Sequence, residues 1–286
     1  MPAILPAKSH DLVARYAAVR AQTEALAAPL DPEDCALQSM PDASPVKWHL
    51  GHTTWFFETF VLERAAADFQ PYRAEFRSLF NSYYVAVGPR HPRPERGLLS
   101  RPSLHEVRAY RASVDERMHA LLRREHRFAD LVELGLNHEQ QHQELILTDL
   151  KHLFSRNPLH PAYSAGRARP AAEPTPMRFR RFPEGIRSIG HDGDGFCFDN
   201  EQPRHRVFLR AYEIADRLVT WREYLAFMEE GGYRRPELWL SEGWDVCQSQ
   251  GWSGPLYWGE DGQFTLQGLR PVEPDEPVTH VSYYEA

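Results

Sequence analysis

The sequence predicts two domains, a bundle of four α-helices followed by a smaller and more irregular α+β domain. In the first half of the chain, apolar residues recur with helical periodicity in four segments that are separated by loops. The composition changes at residue 157, where a stretch rich in Pro, Ala and Arg begins. Beyond it, short apolar runs alternate with Gly and aromatic residues, as is typical of short strands. We therefore divide the chain into a bundle at 1–156, a linker at 157–176 and a second domain at 177–286.

The composition excludes several functional classes. The 286 residues carry a formal net charge of −7, which disfavours binding to nucleic acid or to an anionic membrane surface. No apolar run approaches the roughly 18 residues of a membrane-spanning helix, and the N-terminus lacks the apolar stretch of a signal peptide. The three cysteines are far apart and form no Cys-x-x-Cys pair. We therefore expect a cytoplasmic protein without a disulfide framework.

Two helices are predicted in the first 64 residues. The first spans residue 9 to about 28, where the apolar residues fall close to one face. A turn-rich loop leads to the second, which is predicted to begin with Ser44 as N-cap and Pro45 at the first helical position. This second helix is aromatic and apolar on nearly every face, so we expect it to be deeply buried.

Two histidines, His49 and His52, lie in the first turns of this second helix. A buried histidine needs a polar partner, because an unpaired polar group is costly in an apolar interior. Either these histidines hydrogen-bond inside the bundle, or one of them is a metal ligand. Because His52 shares a helix face with Phe56, we expect His52 to lie in the core.

A long connection, residues 65–101, follows the second helix. Its second part is too rich in proline for a helix, while its aromatic residues favour an ordered loop. Arg90, Arg93 and Arg96 recur along it, and guanidinium groups at this density can clamp a carboxylate. A solvated basic loop is the other interpretation of the same run.

The fourth predicted helix, from about Ala129 to Phe154, carries the most informative motif, His138-Glu139-Gln140-Gln141-His142. Side chains four residues apart lie one turn apart on the same helix face, so the two histidines point the same way. Two neutral imidazoles in this arrangement form half of a metal site. Helical bundles build such sites from side chains on facing helices, and His52 offers the third nitrogen.

The same five residues also fit His-Glu-x-x-His, the zinc protease pattern, with Glu139 as the general base. The metzincin continuation is absent, because Leu145 and Thr148 stand where its Gly and its third His would be. A zinc hydrolase therefore remains an alternative to a three-histidine site.

Local sequence signals also predict the third helix and the elements of the second domain. A capping box at Ser103–Glu106 opens the third helix. In the second domain we predict strands at 179–182, 187–190 and 205–209, a short helix at 221–229, and an irregular region at 231–268 whose tryptophans form core or line a pocket. The last ten residues read as a passage from strand to helix without a terminator, so we expect a truncated domain.

Several of these stretches resemble one bacterial family, the sulfoxide synthases of ergothioneine biosynthesis. Ser44 to His52, the loop from Asn81 to Gly97 and His138 to His142 resemble its DinB-like four-helix bundle. Residues 185–190, 198–205, 219–220 and 277–282 resemble its formylglycine-generating-enzyme-like (sulfatase-modifying, C-type-lectin-like) domain. The order of the two domains is specific to this family.

The resemblance implies a mononuclear non-haem iron(II) ion held by His52, His138 and His142. It implies an O2-dependent reaction that couples hercynine, the betaine of histidine, to the sulfur of cysteine or γ-glutamylcysteine and oxidises that sulfur to a sulfoxide. A selenoneine or ovothiol-type synthase of the same superfamily, a zinc hydrolase and a non-catalytic binding module remain the alternatives.

The resemblance also implies substrate-binding residues. Gln141 matches a residue that helps to hold hercynine, and Arg90 and Arg93 match a pair that binds the carboxylates of the thiol substrate. We assign no catalytic residue, because the family's tyrosine proton donor lies in the distal part of the second domain, which this sequence does not contain.

Overall fold

A computed structural model describes residues 7–166 and 175–286 of the chain. The chain forms two compact units, the first ending at Asn157 and the second spanning Pro158–Ala286. The linker predicted at 157–176 lies partly outside the described residues. None of the helices in the described part of the chain combines the length and the apolarity that crossing a bilayer requires.

The first unit is the predicted bundle of four helices, and the second packs against both the third and the fourth. The first helix packs mainly against the fourth. The second helix continues beyond its α-helical part through a π-helical turn, Glu58–Leu62, and one further turn, Glu63–Ala65. A short helix, Phe76–Leu79, lies in the long connection. The four bundle helices are α1 (Ala7–Ala27), α2 (Val46–Phe57), α3 (Leu104–Leu122) and α4 (Ala129–Ser155).

Helix α2 lies at the centre of this unit, and each of its 12 residues is buried. Two glycines permit its closest contacts. A Cβ atom added to Gly51 would lie 2.2 Å from the ring of Phe80, and one added to Gly135 of α4 would lie 2.6 Å from the ring of Phe57. The expectation of a deeply buried second helix is therefore confirmed.

The start of α2 differs from the predicted capping. Pro45 occupies the N-cap position and no side chain caps the helix. Ser44 lies outside the helix, where its hydroxyl accepts a hydrogen bond of 2.8 Å from Arg96 and its amide donates to Asp149. The prediction of Ser44 as N-cap was wrong because the loop supplies this hydroxyl with another partner. The predicted capping box of α3 is confirmed, with Ser103 and Glu106 bonded reciprocally.

A buried cluster of charged residues ties three of the helices together. Glu139 of α4 accepts hydrogen bonds from Arg20 of α1, from Arg111 of α3 and from the hydroxyl of Thr23. Arg20 also donates to Asp115 of α3 at 2.7 Å. The side chains of Glu139, Arg20 and Arg111 are at most 4% exposed, so these contacts cross the interior of the bundle.

The described part of the second unit contains three small antiparallel sheets and two α-helices. Strand β1 (Phe179–Phe182) pairs with β4 (Tyr212–Ala215), and β2 (Gly185–Ile189) pairs with β3 (His205–Leu209), with Arg187 opposite Val207. The remaining elements are β5 (Trp258–Gly259), β6 (Gly262–Thr265) and β7 (Gly268–Arg270), which form the third sheet, and the helices α5 (Trp221–Glu229) and α6 (Ser241–Gln250).

The prediction of an irregular region at 231–268 was wrong, because helix α6 and strands β5 and β6 lie within it. The first turn of α6 includes Gly243, a residue of low helix propensity. In the folded unit Gly243 lies against the ring of Tyr284, so tertiary packing selects the helix. Cys247 of α6 is fully buried in a core with Tyr224 and Tyr233. Trp239 and Trp252 are partly buried and pack against this core, and Trp239 also lines a cavity, so both interpretations apply to Trp239.

Candidate metal centre

Three imidazoles converge in the interior of the first unit. His52 comes from α2, and His138 and His142 come from one face of α4. The Nε2 atom of His138 lies 3.3 Å from Nε2 of His52 and 3.1 Å from Nε2 of His142. Two nitrogens bound side by side to one ion at about 2.1 Å stand roughly 3.0–3.4 Å apart. Two of the three separations therefore match a shared metal ion, and one ligand atom from each of the three histidines lies within 4.8 Å of the others.

Burial keeps these imidazoles in the neutral form that binds metals. It lowers the pKa of His138 to about 4 and holds the pKa values of His52 and His142 well below their ordinary range. The three side chains are 1–8% exposed, and no carboxylate belongs to the group. At neutral pH the site therefore presents nitrogen lone pairs without negative charge.

The second nitrogen of each imidazole has a different environment. Nδ1 of His52 donates to the carbonyl oxygen of Phe80 at 2.6 Å, which leaves its Nε2 lone pair free. Nδ1 of His142 lies 2.8 Å from Nδ1 of His49. Nδ1 of His138 is buried and has no hydrogen-bond partner among the described residues. Of the two histidines of α2, His52 thus lies in the group and His49 lies behind it.

An aromatic ring and a buried cation cover the His52 side of the group. The indole of Trp48 stacks on His52 with ring centres 4.6 Å apart and planes 11° from parallel. The guanidinium of Arg96 lies 3.3 Å from the centre of the Trp48 ring. Arg96 is 4% exposed, and burial lowers its pKa to about 9. Its hydrogen bonds go to the hydroxyls of Ser44 and Ser82.

The other predicted site residues lie at the surface of this unit. Gln141 is exposed on α4, between the two histidines in sequence. Arg90 is exposed as well, and Arg93, also exposed, donates to the carbonyl oxygen of Asp42. Their roles in binding substrates stay predictions. Arg96, which the sequence did not separate from its neighbours in the loop, is the arginine that contacts the aromatic cover of the histidines.

The zinc hydrolase alternative depends on Glu139, and the geometry opposes it. Burial alone would raise the pKa of Glu139, but the charges of Arg111 and Arg20 and the hydrogen bonds to this carboxylate hold the pKa at about 2. A general base has to contact a metal-bound water and accept its proton. Glu139 instead bonds two guanidinium groups and a hydroxyl on neighbouring helices.

Two residues of the site's surroundings escaped the sequence analysis. Asp149 accepts a hydrogen bond from Nε2 of His49 at 3.1 Å and from the amide of Ser44 at 2.8 Å. Its position seven residues after His142 places it two turns along the same helix face, and this spacing could have marked it. The carbonyl of Phe80 carries no side-chain signal at all.

Comparison with known proteins agrees with this architecture. Residues 15–146 match the DinB superfamily, and residues 167–286 match the sulfatase-modifying factor enzyme 1-like domain. The chain therefore contains a region that matches the DinB superfamily, followed by a region that matches the sulfatase-modifying factor enzyme 1-like domain. Both halves of the resemblance drawn from the motifs, and their order, are confirmed.

The chain is also similar, over most of its length, to curated proteins named hercynine oxygenase. It is 32% identical to the one from Mycolicibacterium thermoresistibile over 265 residues, which are 90% of this chain and 57% of the relative. It is 30% identical to the one from Mycolicibacterium smegmatis, covering 87% of this chain and 58% of the relative. It is 30% identical to the one from Mycobacterium tuberculosis, covering 96% of this chain and 64% of the relative. The chain thus spans about three fifths of these relatives.

Proposed function

We propose that the first unit is the iron(II)-binding domain of an enzyme that forms a C–S bond between hercynine and cysteine or γ-glutamylcysteine in ergothioneine biosynthesis. The observation that carries the proposal is the convergence of His52, His138 and His142, with Nε2 atoms 3.3 Å and 3.1 Å apart. The name shared by the three relatives supports the choice of hercynine as substrate.

The donor set suits this chemistry. Three neutral imidazoles leave coordination positions open for other groups, and a site without a carboxylate gains from an anionic sulfur ligand. When bound, the iron supplies the activation of O2 that the unreactive imidazole carbon of hercynine requires. The residues around it hold the ligands in place and exclude water, since His52 and His142 are almost completely buried.

The proposed reaction balances without a further reductant. The imidazole C–H and the thiol S–H are replaced by a C–S bond, which releases two electrons. Oxidation of the sulfur to the sulfoxide releases two more, so one O2 is consumed and its second oxygen leaves as water. In this proposal Gln141 helps to hold hercynine, and Arg90 and Arg93 bind the carboxylates of the thiol by charge-assisted hydrogen bonds.

An anaerobic Fe(II) titration tests the metal centre. We expect one tight site in the wild-type protein, and its loss in His52→Ala and in His142→Ala, because two imidazoles hold Fe(II) weakly. The matched control is His105→Ala, which removes an exposed histidine of α3. Circular dichroism checks that each variant is folded. Stoichiometric iron in either of the first two variants would refute the assignment.

Oxygen consumption with defined substrate pairs tests the reaction. Hercynine is supplied with cysteine, with γ-glutamylcysteine or with a selenosugar, and histidine replaces hercynine in a parallel series. One O2 consumed per sulfoxide formed, with one of the first two pairs, would support the proposal. Uptake with the selenosugar or with histidine would favour a selenoneine or ovothiol-type synthase. Tight iron binding without oxygen uptake for any pair would support the metal centre and show that these residues alone do not carry out the proposed reaction.

A further inference from the structure

The proposed ligand His142 is linked through His49 to the carboxylate of Asp149 by two polar contacts. Asp149 accepts from Nε2 of His49 at 3.1 Å, and Nδ1 of His49 lies 2.8 Å from Nδ1 of His142. Nε2 of His142 is the nitrogen that faces the other two imidazoles, at 3.1 Å from His138. His49 is 1% exposed and Asp149 is 8% exposed, so this line of contacts is shielded from water.

With His49 neutral, the hydrogen bonds from His142 to Asp149 have a single consistent direction. Oδ2 of Asp149 accepts the amide N–H of Ser44, so this oxygen carries lone pairs and also accepts from His49. A neutral His49 that donates through Nε2 has a lone pair at Nδ1, because a neutral imidazole carries one N–H. His142 then has to donate through its Nδ1, and its Nε2 keeps the lone pair that a metal ion needs.

The other two histidines of the group do not depend on such a line. Nδ1 of His52 bonds to a backbone carbonyl, that of Phe80, and substitution of a side chain does not remove a carbonyl. Nδ1 of His138 has no hydrogen-bond partner among the described residues. His142 is therefore the imidazole of the group whose tautomer is set by side chains.

We propose that His49 and Asp149 are positioning residues that fix His142 in the Nδ1–H tautomer and so present its Nε2 lone pair to the metal ion. Partners of this kind orient a ligand and raise its basicity, and their loss typically weakens metal affinity by about 10–100-fold. The functional meaning of this tautomer rests on the proposed metal centre. The tautomer itself is a property of the metal-free protein.

The first test is therefore made without metal. In protein labelled with 15N at histidine, two-bond 15N–1H correlation spectra distinguish an Nδ1–H imidazole from an Nε2–H imidazole. We expect His142 of the wild-type protein to be the Nδ1–H tautomer. An Nε2–H tautomer in the wild-type protein would overturn the proposal whatever the variants do.

Two substitutions of His49 separate orientation from packing. His49→Asn keeps an acceptor near the place of Nδ1, whereas His49→Phe keeps the ring and loses the acceptor. We expect His49→Asn to retain the tautomer of His142 and an Fe(II) dissociation constant within about fivefold of the wild type. We expect His49→Phe to mix the tautomers and raise this constant by about 10–100-fold. His105→Phe, at an exposed position of α3, is the control for the same change of side chain.

The outcomes discriminate between the two proposals. Equal effects of His49→Asn and His49→Phe on the dissociation constant, or no effect of His49→Phe on the tautomer, would refute the positioning role. If His49→Phe fails to fold, the wild-type spectrum and His49→Asn still decide the matter. Wild-type protein that binds no Fe(II) would refute the metal centre, and an Nδ1–H tautomer of His142 in the same protein would still support the orienting line.

Discussion

The substitution Glu139→Gln should greatly lower the free energy of unfolding of the bundle, although it changes the size of the side chain very little. Glu139 is fully buried and its carboxylate bonds Arg20, Arg111 and Thr23. The change leaves two buried guanidinium groups without the charge between them. Removing one partner of a buried ion pair costs about 3–5 kcal/mol.

The pKa of Glu139 gives a magnitude of the same order for these ion pairs. It falls from 4.5 to about 2, because the charges of Arg111 and Arg20 outweigh the effect of burial. At about 1.4 kcal/mol per pH unit, this difference favours the charged form in the folded protein by about 3 kcal/mol. Arg20 keeps Asp115 as a partner and Arg111 keeps Glu24, so we expect a loss of about 3 kcal/mol rather than the upper limit.

Urea unfolding of the metal-free protein at pH 7, followed by circular dichroism, measures this loss. The control is Glu144→Gln, which removes an exposed carboxylate of the same helix and should change the free energy of unfolding by less than about 0.5 kcal/mol. A loss below 1 kcal/mol in Glu139→Gln would show that the buried ion pairs of Glu139 contribute little to the stability of the bundle.

The same variant should also respond differently to acid. The folded pKa of Glu139 lies below the unfolded one, so its contribution to stability is complete above pH 4.5 and is lost as the pH falls towards 2. The difference in the free energy of unfolding between the wild-type protein and Glu139→Gln should therefore shrink over this range. A difference that stays constant from pH 5 to pH 3 would show that the charge is not its cause.

Three further predictions follow from the packing of the site and its loop. Gly51→Ala should cost about 1–3 kcal/mol in urea unfolding and weaken Fe(II) binding, because the added methyl group displaces Phe80, whose carbonyl orients a ligand. Arg96→Met should leave the free energy of unfolding unchanged or raise it by up to about 2 kcal/mol, because burial lowers the pKa of this arginine to about 9. Arg90→Ala should raise the KM for the thiol substrate in the oxygen-uptake assay without changing the iron content.

A control or a contradicting outcome can be stated for each of these three predictions. Gly259→Ala adds a methyl group where no atom lies within 4 Å, and should be neutral, so an equal cost at both glycines would contradict the packing argument. A lower free energy of unfolding in Arg96→Met would show that the hydrogen bonds and ring contact of Arg96 outweigh the cost of its burial. An unaltered KM in Arg90→Ala would remove this arginine from the proposed thiol site.

The parts of the structure that the sequence predicts are those decided within one element. The helical phase of α4 was enough to place His138 and His142 on one face, and the apolar character of α2 was enough to bury it. The capping box at Ser103 is equally local. These predictions depend on residues a few positions apart, where backbone geometry alone fixes the neighbours.

The parts that the sequence missed depend on distant partners. Glu139 and Arg20 form an ion pair although they are 119 positions apart in the chain, and no local sequence pattern predicts such a partner. Arg96 lies in a proline-rich loop that reads as a solvated basic segment, yet it is buried against Trp48 because the loop folds back over α2. Helix α6 forms in the second unit although its sequence includes a glycine, and its order comes from packing.

The complete burial of α2 has a consequence for comparisons among homologues. Each of its 12 positions touches other parts of the bundle, so a substitution anywhere along it disturbs packing, whether or not the residue faces the histidines. Selection should therefore conserve His52 and its apolar neighbours to a similar degree. Helix α4 has an exposed face, which includes Gln141 beside the site. A conserved residue on the exposed face of α4 would therefore indicate a role in the chemistry, because packing does not constrain that face.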